Sequence, residues 1–177
     1  MTNYNPDEIC AKQRRFFDSN KSKNIETRKQ MLIKLRNVVA DNEEKLLKAL
    51  KLDLGKSKAE AYMTELSFIY SEINFMLKGI KKWSKPQHVK STIATIGSKN
   101  KIYYEPYGVI LIIVPWNYPV LLALTPLIGA IAAGNTAILK MSGMSPHTAV
   151  LIKEMLNKNF SDKYIYVVDE NICIEKL

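Results

Sequence analysis

Val109-Ile110-Leu111-Ile112-Ile113-Val114-Pro115-Trp116-Asn117-Tyr118-Pro119 is the stretch on which the fold turns. Six aliphatic residues stand in a row, five of them β-branched. A continuous run of this kind, without apolar/polar alternation, is expected of a strand buried on both faces. Pro115-Trp116-Asn117-Tyr118 then reads as a loop, and Pro119 suits the first turn of a helix reaching about Ala133. Gly134-Asn135 caps that helix, and Thr136–Lys140 is a second strand. Ser145-Pro146 pairs an N-cap serine with proline at the first helical position, opening a helix to about Asn157. Tyr164-Ile165-Tyr166-Val167-Val168 is a third strand. The order β-α-β-α-β with short connections makes an α/β chain with a right-handed parallel sheet, partial and Rossmann-like.

Outward from this core the composition changes sharply. The 34 residues from Pro106 to Leu139 carry no charged side chain. A membrane span needs about 20 mainly apolar residues, but Pro115, Asn117, Pro119 and Pro126 interrupt the run and Gly134-Asn135 ends it. A soluble buried core is the expected reading, with no transmembrane segment. Residues 1–101 hold 21 basic and 11 acidic side chains, whereas 102–177 hold 5 and 6, so the net charge of +9 belongs to the N-terminal section. There the charges are interleaved along helical faces without an arginine-rich run. A solvated basic surface is expected, with no nucleic-acid partner.

The N-terminal section, residues 1–90, reads as helical. Asp7 to about Ser19 is a short helix. Glu26 to about Leu52 carries apolar residues at three- and four-residue spacing, with Asp41-Asn42 as a possible break. Gly55 stands at the left-handed cap position. From Ala59 to Trp83 the steps of three and four continue for about seven turns, until Pro86 stops the helix. Met63, Tyr70 and Leu77 widen this stripe beyond a coiled-coil seam and point to a helix lying on a globular core. Residues 91–105 are expected to form a β-hairpin, with β-prone runs Ser91–Ile96 and Lys101–Glu105 around Gly97-Ser98-Lys99-Asn100. Residues 106–177 complete the division as the sheet-bearing part.

In a parallel sheet of this type, ligands bind beyond the carboxyl ends of the strands. The loops Pro115–Tyr118 and Met141–Met144 occupy that position. No G-x-G-x-x-G is present among the seven glycines. Gly129 and Gly134 have the outer spacing of a phosphate loop, but Asn135-Thr136 replaces its lysine and hydroxyl residue. His88 and His147 are far apart and neither belongs to a ligand pair, so no metal site is expected. Cys10 and Cys173 are 163 positions apart and read as reduced thiols of a cytoplasmic protein. The first eight residues contain no apolar signal-peptide core. Asn117 is the exception to this bland inventory. Its amide either donates a hydrogen bond to a developing oxyanion or satisfies its own turn backbone.

Tyr104–Pro119, with its Glu105-Pro106-Tyr107-Gly108 entry and Pro115-Trp116-Asn117-Tyr118-Pro119 exit, resembles the aldehyde dehydrogenase superfamily. The Trp-Asn-Tyr-Pro form is most similar to the class 3-like, fatty- or coniferyl-aldehyde branch. Gly129-Ala130-Ile131-Ala132-Ala133-Gly134-Asn135-Thr136 with Leu139-Lys140 continues the likeness. So do Asp53-Leu54-Gly55-Lys56-Ser57, Glu60–Glu65, Lys81-Lys82-Trp83 and Ile96-Gly97-Ser98-Lys99. The resemblance implies the N-terminal portion of that fold, with the hairpin as an oligomerisation arm. It also implies oxidation of an aldehyde to a carboxylic acid, with NAD or NADP as cofactor. Asn117 would be the oxyanion-hole amide. Backbone at Pro115 and Trp116 would line the nicotinamide end of the cofactor, and Lys140 would hydrogen-bond the adenine-ribose hydroxyls.

The chain also departs from the family pattern. Lys140-Met141-Ser142-Gly143 stands where the family has Lys-Pro-Ser-Glu, and Gly143 removes a carboxylate that commonly also binds ribose. This implies weakened or lost cofactor binding. The family's Gly-Ser-Thr loop, glutamate base and catalytic cysteine lie downstream of the matched region, and Cys173 does not stand in the cysteine's motif. The expected protein is therefore a truncated or split aldehyde dehydrogenase, inactive alone, whose partners are an aldehyde, a downstream fragment or further copies of itself. The alternative is a non-catalytic binding module that associates through its incomplete sheet.

Overall fold

The computed structural model describes residues 5–169. Cys173 and the tail from Asn171 lie outside them. Helix α1 (Pro6–Asp18) begins with the Asn5 side chain accepting from the N–H groups of Asp7 and Glu8. Helix α2 (Ile25–Asp41) begins in the same way on Asn24. Both caps satisfy donors that the first helical turn leaves without partners. The break at Asp41-Asn42 is real, and α3 (Glu43–Leu54) follows it and ends on Gly55 at φ 70°. Ser57 and Glu60 then form a reciprocal capping box that starts α4 (Lys58–Ala61). A π-helical stretch, Tyr62–Leu66, joins α4 to α5 (Ser67–Trp83). The uninterrupted seven-turn helix read from the sequence therefore carries a one-turn irregularity, and Glu65 lies inside it.

The two short strands β1 (Gln87–Val89) and β2 (Asn100–Ile102) pair antiparallel, with His88 opposite Lys101. The hairpin exists but its first strand lies earlier than Ser91–Ile96. That run instead closes a 3-10 turn at Ile93–Thr95. Thr92 N–H donates to Thr95 Oγ1 at 2.9 Å, and Ser98 Oγ donates to Thr95 O at 2.6 Å. Local hydroxyl bonds of this kind compete with a sheet ladder, and here they win.

Strands β3 (Val109–Ile113), β4 (Thr136–Lys140) and β5 (Ile165–Val167) form the parallel sheet in the order β3-β4-β5. Helix α6 (Pro119–Ala133) joins the first pair and α7 (Pro146–Asn159) the second. Right-handed crossovers in one direction place both helices on one face of the sheet. Helices α2 and α5 pack on α6, and α3 packs on α7. The result is sheet, helix pair and outer helical layer, with α1 against β3 and β4.

This layering explains the uncharged segment. Val120, Leu124, Leu127, Ile128 and Ile131 of α6 are all essentially inaccessible, because the helix has sheet on one side and helices on the other. No helix among the described residues is long and apolar enough to cross a membrane. The expectation of a β3 buried on both faces is corrected. Ile112 and Val114 are buried, but Leu111 is 44% exposed and Ile113 51%. The two exposed residues are two apart and so share the one face of β3 that is left open, whereas β4, central among the described strands, is buried throughout.

Two left-handed glycines separate backbone strain from crowding. Gly55 (φ +70°) has open space where a side chain would begin, whereas a Cβ at Gly134 (φ +95°) would meet Arg28 Nε at 2.9 Å. Gly55→Ala is expected to cost about 1 kcal/mol and Gly134→Ala about 3 kcal/mol in urea unfolding, since only the second adds a clash to the strain. Equal losses would show that crowding by Arg28 contributes nothing.

Candidate functional site

The loop Pro115–Tyr118 leaves the carboxyl end of β3, and Lys140 ends β4 beside it. Ile113 and Lys140 are register partners, and Val114 N–H donates to Lys140 O at 2.9 Å. The structure thus brings Pro115, Trp116, Asn117 and Lys140 to one end of the sheet, where two strand ends and the N-terminus of α6 converge. Lys140 is buried and its Nζ donates to Met141 O at 2.8 Å. Pro115, Trp116 and Asn117 are exposed, so the dry surroundings that an oxyanion amide needs are not supplied by the described residues.

The Asn117 side chain makes no hydrogen bond within the described residues, and its backbone carbonyl accepts from Lys56 Nζ. The loop is held from elsewhere. Lys56 Nζ lies 3.9 Å from the centroid of the Tyr118 ring and donates to the Asn117 backbone carbonyl at 3.4 Å. It also pairs with Glu65 Oε1 at 2.6 Å, and the Glu65 side chain is wholly buried. The other oxygen of Glu65, Oε2, accepts from Val120 N–H at 2.9 Å and Leu121 N–H at 3.0 Å. One carboxylate therefore neutralises a buried lysine and satisfies the start of α6, where the helix dipole favours negative charge.

The next helix repeats the device. Ser145 is expected to cap α7 with its hydroxyl, but its side chain makes no capping bond. Asp53 does so from the end of α3, accepting from His147 N–H at 3.1 Å and Thr148 N–H at 2.7 Å. Spacing along the chain does not mark Glu65 and Asp53 as caps, nor Lys56 as the buried partner of Glu65. Charged residues in an exposed-looking helical segment give no local signal that they cap helices 55 to 95 positions away. A third support, Asn135, accepts Gly108 N–H at 2.8 Å from a buried position and fixes the entry of β3.

No cluster of three or more His, Cys, Asp or Glu suited to a metal occurs among the described residues. Cys10 is exposed and in no disulfide.

With this geometry in place, the comparisons define the class. The chain matches the aldehyde dehydrogenase family over residues 1–171, and it belongs to that family. It is 43% identical over 157 residues to the 4,4'-diaponeurosporen-aldehyde dehydrogenase of Staphylococcus aureus, covering 89% of this chain and 34% of that protein. It is 40% identical over 155 residues to aldehyde dehydrogenase family 3 member A2 of Macaca fascicularis, with 88% and 32% covered. The solved structure of Staphylococcus aureus AldH in a substrate-bound state superposes with a TM-score of 0.91 at 40% identity, over 96% of this chain and 37% of that one. A betaine aldehyde dehydrogenase point mutant from the same organism, solved in complex with NAD+, gives 0.77 at 27% identity, over 92% and 33%. The chain spans about a third of the length of the relatives it matches.

Deleting one member of the buried pair tests its role. Lys56→Met leaves the Glu65 carboxylate buried without its cation, and the expected loss is about 3–5 kcal/mol in urea unfolding. A loss below about 1 kcal/mol would show that the pair is dispensable.

Proposed function

We propose that this chain is the oxyanion-hole and cofactor-facing portion of an enzyme that oxidises an aldehyde to a carboxylic acid. The observation that carries this reading is the Asn117 side-chain amide. It is exposed in the loop after the carboxyl end of β3, the strand whose Ile113 is in register with Lys140 of β4, and makes no hydrogen bond to the described residues. An amide held in that state is available to a ligand.

Asn117 Nδ2–H would donate to the substrate carbonyl oxygen and strengthen that bond as negative charge develops there. The residues present fit a nicotinamide dinucleotide in part. Lys140 supplies a donor for ribose hydroxyls, and exposed backbone at Pro115 and Trp116 is open to the nicotinamide end. Gly143 offers no carboxylate beside it, which supports weakened binding. NAD or NADP, when bound, would accept the hydride. The betaine aldehyde dehydrogenase holding NAD+ supports this cofactor class. In the family a cysteine thiolate attacks the carbonyl and a glutamate activates the water that releases the acid. No residue of this chain stands in either motif, so the 177-residue chain alone is inactive.

The experiment is aldehyde-dependent NAD(P)H release, by the chain alone and with the remaining two-thirds of a family enzyme supplied in trans. No turnover is expected from the chain alone. In the reconstituted system, Asn117→Ala is expected to lower kcat by about 100- to 1000-fold, the typical loss for an oxyanion-hole donor. Turnover by the isolated chain would overturn the claim of inactivity. A reconstituted Asn117→Ala with unchanged kcat would overturn the oxyanion role.

The second reading, a non-catalytic module that associates through its sheet, is favoured by one feature. Among the described residues β3 pairs on one side alone, and Leu111 and Ile113 lie exposed on one face of that strand. It predicts concentration-dependent self-association in sedimentation experiments. A monodisperse monomer at all concentrations would exclude it.

A further inference from the structure

A cavity of about 470 Å³ lies at the other end of the molecule, between α5, the residues leading into β3 and the end of α6. Glu105 and Pro106 on its wall precede β3, and Ala132 and Ala133 close the helix that runs back from the Asn117 loop. Fifteen residues of helix set it on the order of 20 Å from that loop. Its volume falls in the range of small-molecule sites. Met76, Ile80 and Trp83 of α5 form an apolar wall.

Arg28 is the one basic residue among those lining the cavity, and it is 9% exposed. No carboxylate among the described residues pairs with it. Its Nη1 donates to Ser84 Oγ at 3.2 Å and to Ala132 O at 3.4 Å, and its Nη2 donates to Lys23 O. Nε has no partner within the described residues. Ser84 and Ala132 both line the cavity, so the Nη1 end of the guanidinium stands at its wall. Burial pulls the guanidinium pKa down from its usual value. All three acceptors are neutral, which leaves a desolvated cation without a counter-charge among the described residues. Buried charges are ordinarily paired.

We propose that this cavity is a binding site for a monocarboxylate with an apolar body. The carboxylate sits on Arg28 by displacing the two Nη1 bonds to neutral acceptors, and the body lies against Met76, Ile80 and Trp83. A planar guanidinium matches a carboxylate in shape and charge. A single cation, with the Glu105 carboxylate on the same wall, disfavours a polyanion such as a phosphate ester. The site stands on residues that the Asn117 chemistry does not use, so either reading survives failure of the other.

The test is isothermal titration of the 177-residue chain with octanoate and, separately, with 1-octanol. Octanoate is expected to bind saturably at one site, at least tenfold more tightly than octanol. Arg28→Met should erase that preference. Because Arg28→Met risks disturbing the fold, Ala133→Phe is the second variant: Ala133 is exposed on the cavity wall, and the added ring fills the space without touching the core. Ala133→Phe should weaken octanoate at least tenfold, with an unchanged circular dichroism spectrum. Equal affinity for octanol and octanoate, absence of saturable binding, or full octanoate affinity in Ala133→Phe would overturn the proposal.

Discussion

The carboxylate of Glu65 is the constraint on which the loop after β3 and the start of α6 depend. It is wholly buried, with a lysine on one oxygen and two backbone N–H groups of α6 on the other. Removing its solvation is costly, and the arrangement answers that cost with partners at both oxygens. Because Lys56 also reaches the Asn117 carbonyl and the Tyr118 ring, the same charge pair holds both the loop and the start of the helix after it. Its position inside a π-helical turn fits this use, since such irregularities commonly mark functional places in helices.

Asp53 does for α7 what Glu65 does for α6. Two carboxylates from the N-terminal helical section therefore set the two helix starts that follow the carboxyl ends of β3 and β4. The helical section is more than a cover for the core. It supplies carboxylates that hold the loop after β3 and the starts of α6 and α7.

The fold was largely legible in the sequence because its signals are local. The β-branched run, the proline at the first position of α6 and α7, and the left-handed Gly55 and Gly134 each depend on a few neighbouring residues. The strand boundaries of the hairpin were less legible, because Thr92, Thr95 and Ser98 spend their hydroxyls on a turn within a β-prone run. At the candidate site, strand-end topology pointed to the Pro115–Tyr118 loop and to Asn117, while the roles of Pro115, Trp116 and Lys140 are implied by the family resemblance. The residues that hold them were not legible, since Glu65 and Asp53 act across long separations and look like ordinary surface acids along the chain.

By itself the sequence determined the class of fold, the order of its elements and the family, because hydrophobic pattern, turn chemistry and motif are written in consecutive residues. Which faces of that fold are covered was decided by the tertiary structure alone. Six aliphatic residues read the same whether one face of a strand or both are covered, and only the packing shows that β4 is buried throughout while β3 leaves Leu111 and Ile113 exposed on one face. The partners of buried charge are likewise a tertiary matter. Glu65 has its lysine and Arg28 has no carboxylate among the described residues, a difference set by packing geometry that neither residue's neighbours in the chain reveal.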